Sequence, residues 1–218
     1  MFELHQIPRP MPKQTEFLNQ SVITLNNVLN TPTLLATMST HGYNEKTIKS
    51  GLSLHAQVEA ITDTRDLAYG TVNSTNRRLQ HAKDASLALF SNHLLLARLA
   101  FKRDNYPDDM KITGPRAGAT GEWIAQARKF YQHVPTELMA KYNVSRKELD
   151  EARKMLDKVM ELLALQQKTK SQAQQLTQDR QQVYQELHLW MKKFMSIARV
   201  VLADQPQQLE ALGLVVKA

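Results

Sequence analysis

Residues 143–204 read NVSRKELDEARKMLDKVMELLALQQKTKSQAQQLTQDRQQVYQELHLWMKKFMSIARVVLAD, a stretch without a glycine or a proline. Apolar or small residues recur in it three or four positions apart: Ala152, Met155, Val159 and Leu162, then Ala173, Leu176, Val183, Leu187, Trp190, Phe194, Ile197 and Val201. That spacing places them on one face of a helix. The phase survives the polar middle, where Gln166, Thr169 and Arg180 take the seam. Unbroken phase predicts one helix of about 58 residues, about 85 Å long at 1.5 Å per residue. The competing form is a hairpin. The apolar weight lies in two blocks, 149–165 and 183–202, and a turn at 166–171 would fold one onto the other.

The chain matches itself at a shift of 101 positions. Ile48 falls on Leu149, Gly51 on Ala152, Val58 on Val159, Leu94 on Met195, Ala97 on Ala198, Arg98 on Arg199 and Phe101 on Leu202, with no gap from 48 to 101. Slightly different shifts align Pro32-Thr33 with Pro135-Thr136, Glu16-Phe17-Leu18 with Glu122-Trp123-Ile124, and Pro107…Gly114 with Pro206…Gly213. Self-similarity at a fixed period predicts a tandem duplication. A gap-free match favours the continuous helix, because an insertion inside a helix rotates everything that follows. Gly70 and Thr62-Asp63-Thr64 are the places where the first repeat would turn if it were a hairpin.

Each repeat then contains a short helix (about 15–29 and 121–133), a Pro-Thr step, a polar loop and a very long helix stopped by a proline segment. Ser145 is placed to cap the second long helix, with Glu148 completing a capping box. Asn44 takes the cap position in the first repeat. In continuous form, the early block of one repeat packs on the late block of the other, antiparallel. The expected fold is all-α, an antiparallel bundle of long helices built from two tandem repeats related by a pseudo-twofold. Its divisions are an extended arm at 1–14, repeat 1 at 15–114, a linker at 115–121 and repeat 2 at 122–218, together one compact structural domain.

Composition bounds the function. There is no cysteine, which excludes disulfides, thiolate nucleophiles and cysteine-ligated metals and fits a reducing, cytoplasmic setting. The opening MFELHQIPRPMPKQTEF lacks an apolar core and holds three prolines, so it reads as neither signal nor anchor. The nearest approach to a span, LALFSNHLLLARLAF, is interrupted by Asn92, His93 and Arg98. The formal net charge of +7 is compatible with anionic partners, but both signs are mixed along the helices, as on a solvated surface.

No motif in the chain rises to a reaction. Gly114-Pro-Arg-Ala-Gly-Ala-Thr-Gly121 lacks the Lys and the preceding strand of a phosphate loop and reads as a connection, with Thr120 placed to cap the next helix. The seven histidines form no zinc-binding pair, and His93 and His188 read as satisfied or edge-exposed. Asp108-Asp109 and Asp150-Glu151 are adjacent, so on a helix they diverge. No catalytic, metal or cofactor residue is assigned. Arg98 and Arg199 stand out, each alone in an apolar helix end. An arginine there can snorkel, pair with Glu16 or Glu122, bond the last carbonyls of a helix, or meet an anion or a partner.

Val144-Ser145-Arg146-Lys147-Glu148-Leu149 opening the helix, Ile197-Ala198-Arg199 near its end and Pro206-Gln-Gln-Leu-Glu-Ala-Leu-Gly213 closing it resemble a class of bacterial proteins, of no established activity, built from Ala/Gln-rich long-helix units. The resemblance covers about 90 residues, the first repeat matching more loosely. It implies a helical fold and a bacterial source, and imports no activity. The resulting expectation is a non-enzymatic structural or partner-binding helical protein, its partner another protein or a second copy. A basic binder of nucleic acid or an anionic surface is the alternative, and an enzyme with a site between the repeats is a third reading.

Overall fold

The computed structural model describes residues 12–101 and 119–213. Among them all regular structure is helical: α1 Pro12–Asn30, α2 Pro32–Ser39, α3 Glu45–Ala100, α4 Thr120–His133, α5 Thr136–Ala140, α6 Arg146–Val201 and α7 Pro206–Ala211. Both long helices are continuous over 56 residues. The turns that a hairpin would need, at 62–70 and 166–171, are helical. The offset between α3 and α6 is 101 residues at either end, Glu45 to Arg146 and Ala100 to Val201.

Local chemistry explains the starts and stops. Thr31, before Pro32, is extended (φ −115°, ψ 95°), because the pyrrolidine ring disfavours helical geometry in the residue ahead of it. α2 ends where Gly42 turns left-handed (φ 87°), with Gly42 N donating to Ser39 O and Tyr43 N to Met38 O. α5 ends identically at Asn143 (φ 62°), with Asn143 N donating to Ala140 O and Val144 N to Met139 O. This is the Schellman pattern, which absorbs the last carbonyls of a helix and needs a residue that tolerates a positive φ. Each turn then feeds a capped start. Thr47 N donates to Asn44 Oδ1 at 3.0 Å, and Glu148 N donates to Ser145 Oγ at 3.2 Å. The capping box at Ser145 is only half made: the Glu148 carboxylate reaches His93 instead of turning back to the cap.

The chain forms two compact units that take half of each long helix. Unit 1 holds the described residues up to Gly70 and from Ser171 onward. It contains α1, α2, the first part of α3, the last part of α6, and α7. Its core gathers Leu25, Val28, Leu34, Met38, Ile48 and Val58 with Leu187, Met191, Phe194, Ala198, Leu202, Leu209 and Leu212. Each such side chain taken from water contributes about 1.5–3 kcal/mol before entropy is counted. Here α3 and α6 run in opposite directions: a Cβ on Gly51 would meet Trp190, Arg180 Nε donates to Thr62 Oγ1 at 2.8 Å, and Tyr69 OH lies 3.3 Å from Thr177 Oγ1. Trp190 stacks on Phe194 (5.6 Å, 17°), and Tyr43 meets both edge-on. Pro206 opens α7, the segment that reads in sequence as an apolar step. α1 holds the end of that helix, with Thr24 Oγ1 donating to Leu212 O (3.0 Å) and Asn27 Nδ2 to Ala211 O (2.7 Å).

Unit 2, Thr71–Lys170, combines the last part of α3, α4, α5 and the first part of α6. Phe90, Leu94 and Ala97 pack with Trp123, Ile124, Ala127, Phe130 and Tyr131 and with Leu149, Ala152, Leu156 and Val159. Gln166 Nε2 donates to Asn76 Oδ1 (2.7 Å), and His93 meets Glu148, so the two long helices are antiparallel here as well. Thr120 does not cap α4. It is the first helical residue, and its hydroxyl accepts from Lys83 Nζ at 2.9 Å. Residues 120 and 121, read from sequence as linker, are already helical, as are residues 12–14 of the arm. Pro12 suits the first positions of a helix, where its missing N–H costs nothing. Asp108-Asp109, Pro107, Gly114 and the loop through 118 lie outside the described residues.

Candidate functional site

The two arginines singled out from sequence have different surroundings. Arg98 is half-buried in the last turn of α3, in unit 2. Arg199 is exposed in the last turn of α6, in unit 1, and forms no ion pair among the described residues. A third arginine, Arg153, bonds a carbonyl near a helix end. Its Nε donates to Tyr131 O at 3.0 Å near the end of α4, Nη2 donates to the same oxygen, and Nη1 pairs with Asp150 at 2.6 Å.

Arg199 lines a groove of about 460 Å³ between α1 and α6. Phe17, Met191 and Met195 give it an apolar floor. His188, Lys192 and Arg199 follow one another along α6 on its wall, all exposed. The Phe17 ring lies 5.2 Å from His188 and 5.5 Å from Tyr184, and Tyr184 stacks on His188. The hydroxyls are committed to backbone: Ser21 Oγ donates to Phe17 O (2.7 Å), Thr24 Oγ1 to Leu212 O, and Ser196 Oγ to Lys192 O (2.8 Å). No carboxylate lines the groove, and Lys192, like Arg199, has no acidic partner among the described residues. This is a basic, amphipathic surface. Among the described residues that line it, the hydroxyls bond backbone carbonyls rather than a base.

Other polar clusters are internally satisfied. In unit 2, His93 Nδ1 lies 3.0 Å from Tyr131 OH and Nε2 3.2 Å from Glu148 Oε1. Burial first, and the Glu148 charge second, push the Tyr131 hydroxyl well above the usual phenol range, so it stays a neutral hydrogen-bonding group. A second groove, about 420 Å³, is bordered by Arg128, Gln132, Arg153 and Asp157, but its arginines already pair, Arg128 with Asp157 at 3.2 Å and Arg153 with Asp150. In unit 1 two buried arginines approach each other. Arg65 donates to Asp66 at 2.8 Å, while Arg180 bonds Thr62 and lies 5.9 Å from the Tyr184 ring centroid. Desolvation, then the Arg65 charge, depress the Arg180 pKa.

The polar seam of α6 meets the chain's own α3: Asn76 takes Gln166 and Thr62 takes Arg180. Among the described residues no group of three or more His, Asp or Glu is placed to hold a metal ion, and no helix is long and apolar enough to cross a membrane. Comparison with protein-family models, curated proteins and solved structures gave no match. The site is therefore read from its own geometry. Sequence inspection found Arg199 as an isolated cation. It missed the groove, because Phe17 and Gln20 come from a helix about 180 residues away in the chain.

Proposed function

We propose that this is a non-enzymatic, partner-binding helical protein of the bacterial cytoplasm, and that the α1/α6 groove of unit 1 is where a protein partner docks. The observation carrying this reading is the pairing of an apolar floor with Lys192 and Arg199, two exposed cations that have no acidic partner among the described residues. Surface cations on mixed-charge helices usually have neighbours of opposite sign within a turn. A run without them among the described residues fits a surface completed by another molecule, and the same two helices also expose Ile23 and Val200.

The proposed architecture beneath it is a tandem duplication: two repeats, related by a pseudo-twofold, interleaved as an antiparallel bundle with coiled-coil-like seams. Three features support it: the common 101-residue offset of the long helices, the paired left-handed residues Gly42 and Asn143, and the paired caps Asn44 and Ser145. The repeats trade volume as duplicated cores do. Where unit 1 sets Gly51 against Trp190, the aligned positions in unit 2 are Ala152 and Leu89.

A photo-crosslinking residue at exposed Ser196, compared with one at exposed Gln57 on α3, tests the docking reading in living cells. A discrete protein adduct, identified by mass spectrometry and formed from position 196 alone, supports it. Nucleic-acid adducts, or equal labelling from both positions, overturn it. Nucleic acid is the second reading, favoured by the net charge of +7, and it predicts the former outcome.

A further inference from the structure

We infer that the partner held in the α1/α6 groove is an acidic amphipathic helix; this rests on the docking reading above and deepens it. The basic wall extends from His188 to Arg199, three turns of α6. At 1.5 Å per residue that is about 16 Å, more than a single carboxylate or phosphate head group spans. Its complement is a ligand with several acidic groups at helical spacing. The floor is Met191, Met195 and the Phe17 ring, and the unbranched thioethers conform to whatever apolar side chain is laid on them. Both walls are helices, whose backbone groups are spent within α1 and α6, so an extended strand finds no edge to pair with. What fits is a helix: an apolar stripe at i, i+3/i+4 and i+7 on the floor, and Glu or Asp along one flank facing the basic wall. Among the described residues no carboxylate lines the groove to compete with the partner's.

The test uses the full chain and a labelled synthetic peptide of about five helical turns, with Leu at i, i+3/i+4 spacing and Glu on one flank. Its controls are the same composition in scrambled phase and the Lys-for-Glu version. The first peptide is expected to bind, to gain helicity on binding, and to weaken with salt. Lys192→Glu combined with Arg199→Glu, both at exposed positions, is expected to leave the circular dichroism of the free protein unchanged and weaken binding by about tenfold or more. The doubly reversed protein should then bind the Lys peptide better than the wild type does. Equal binding of the scrambled peptide, competition by duplex DNA at equal charge, or an undiminished affinity of the doubly reversed protein overturns the acidic helix. If the peptide fails while crosslinks from position 196 still give one protein adduct, the helix inference falls and the docking reading stands. If both fail, the docking reading falls too.

Discussion

Gly51 and Gly70 both lie inside α3, and they are predicted to respond oppositely to the same methyl group. Glycine in a helix interior costs about 1 kcal/mol relative to alanine, so with free space either Gly→Ala change stabilises. A Cβ at Gly70 meets nothing within 4 Å. A Cβ at Gly51 lands 2.9 Å and 3.0 Å from Trp190 ring carbons and 3.1 Å from a Leu25 methyl. Carbon atoms prefer about 3.5–4.0 Å, so the indole must retreat by about 0.6–1 Å. It is stacked on Phe194 and braced by the edge of Tyr43, and Leu25 is fully buried, so the retreat disturbs a packed core. Overpacking of this kind costs about 1–3 kcal/mol, against the gain of about 1 in propensity. Gly70→Ala is therefore expected to be about 0.5–1 kcal/mol more stable than the parent, and Gly51→Ala up to about 2 kcal/mol less stable. Urea unfolding followed by circular dichroism separates them: a gap of about 2 kcal/mol is about 1 M in midpoint at a slope of ~2 kcal/mol/M. A Gly51→Ala midpoint equal to or above that of Gly70→Ala refutes the close approach to Trp190, and with it the α3/α6 register in unit 1.

Three further outcomes are expected. Tyr131 has a folded-state pKa raised above its ordinary value of 10.0, so the stability it contributes is complete below pH 10 and is lost as pH rises through 10 toward the folded value; Tyr131→Phe should flatten that alkaline loss, read from urea midpoints between pH 8 and 11, and an unchanged profile counts against the buried phenol. Arg180→Met removes one of two neighbouring buried guanidiniums, while Thr62 keeps its own bond to Val58 O (2.6 Å), so the cost should be under about 1 kcal/mol or turn into a gain; a loss above about 3 kcal/mol would mean that Arg180 is well compensated. Ser145→Ala and Asn44→Ala should each cost about 1 kcal/mol, measured by denaturation, since each removes the acceptor of a first-turn N–H; a neutral result at either shows that water replaces the cap there.

Much of the fold was legible because its signals are local. α3 ends at Ala100 and α6 at Val201, each ahead of its proline segment, and they start at the residues that Asn44 and Ser145 cap. Their continuity followed from helical phase across a polar middle, since a single insertion would have rotated the apolar face away. The left-handed Gly42 and Asn143 were not singled out from sequence, although they stand 101 residues apart, each two positions before a cap, in residue types that accept positive φ. Arg199 was legible as a lone cation in an apolar helix end.

What tertiary structure alone decided were the partners of side chains from distant parts of the chain. Glu148 had a cap role by sequence, but its carboxylate goes to His93, 55 positions earlier. Arg153, which the sequence did not single out, bonds the Tyr131 carbonyl, because α4 finishes beside its turn of α6. The groove exists only because α1 lies along the far end of α6, bringing Phe17 to His188 and, among the described residues, setting no carboxylate against Arg199. The sequence by itself determined where each helix begins, runs and stops, since those depend on hydrogen bonds and apolar spacing within a few residues. Which faces meet, and which charges are left over, depends on shape and burial between segments far apart in the chain, and only the folded structure decides that.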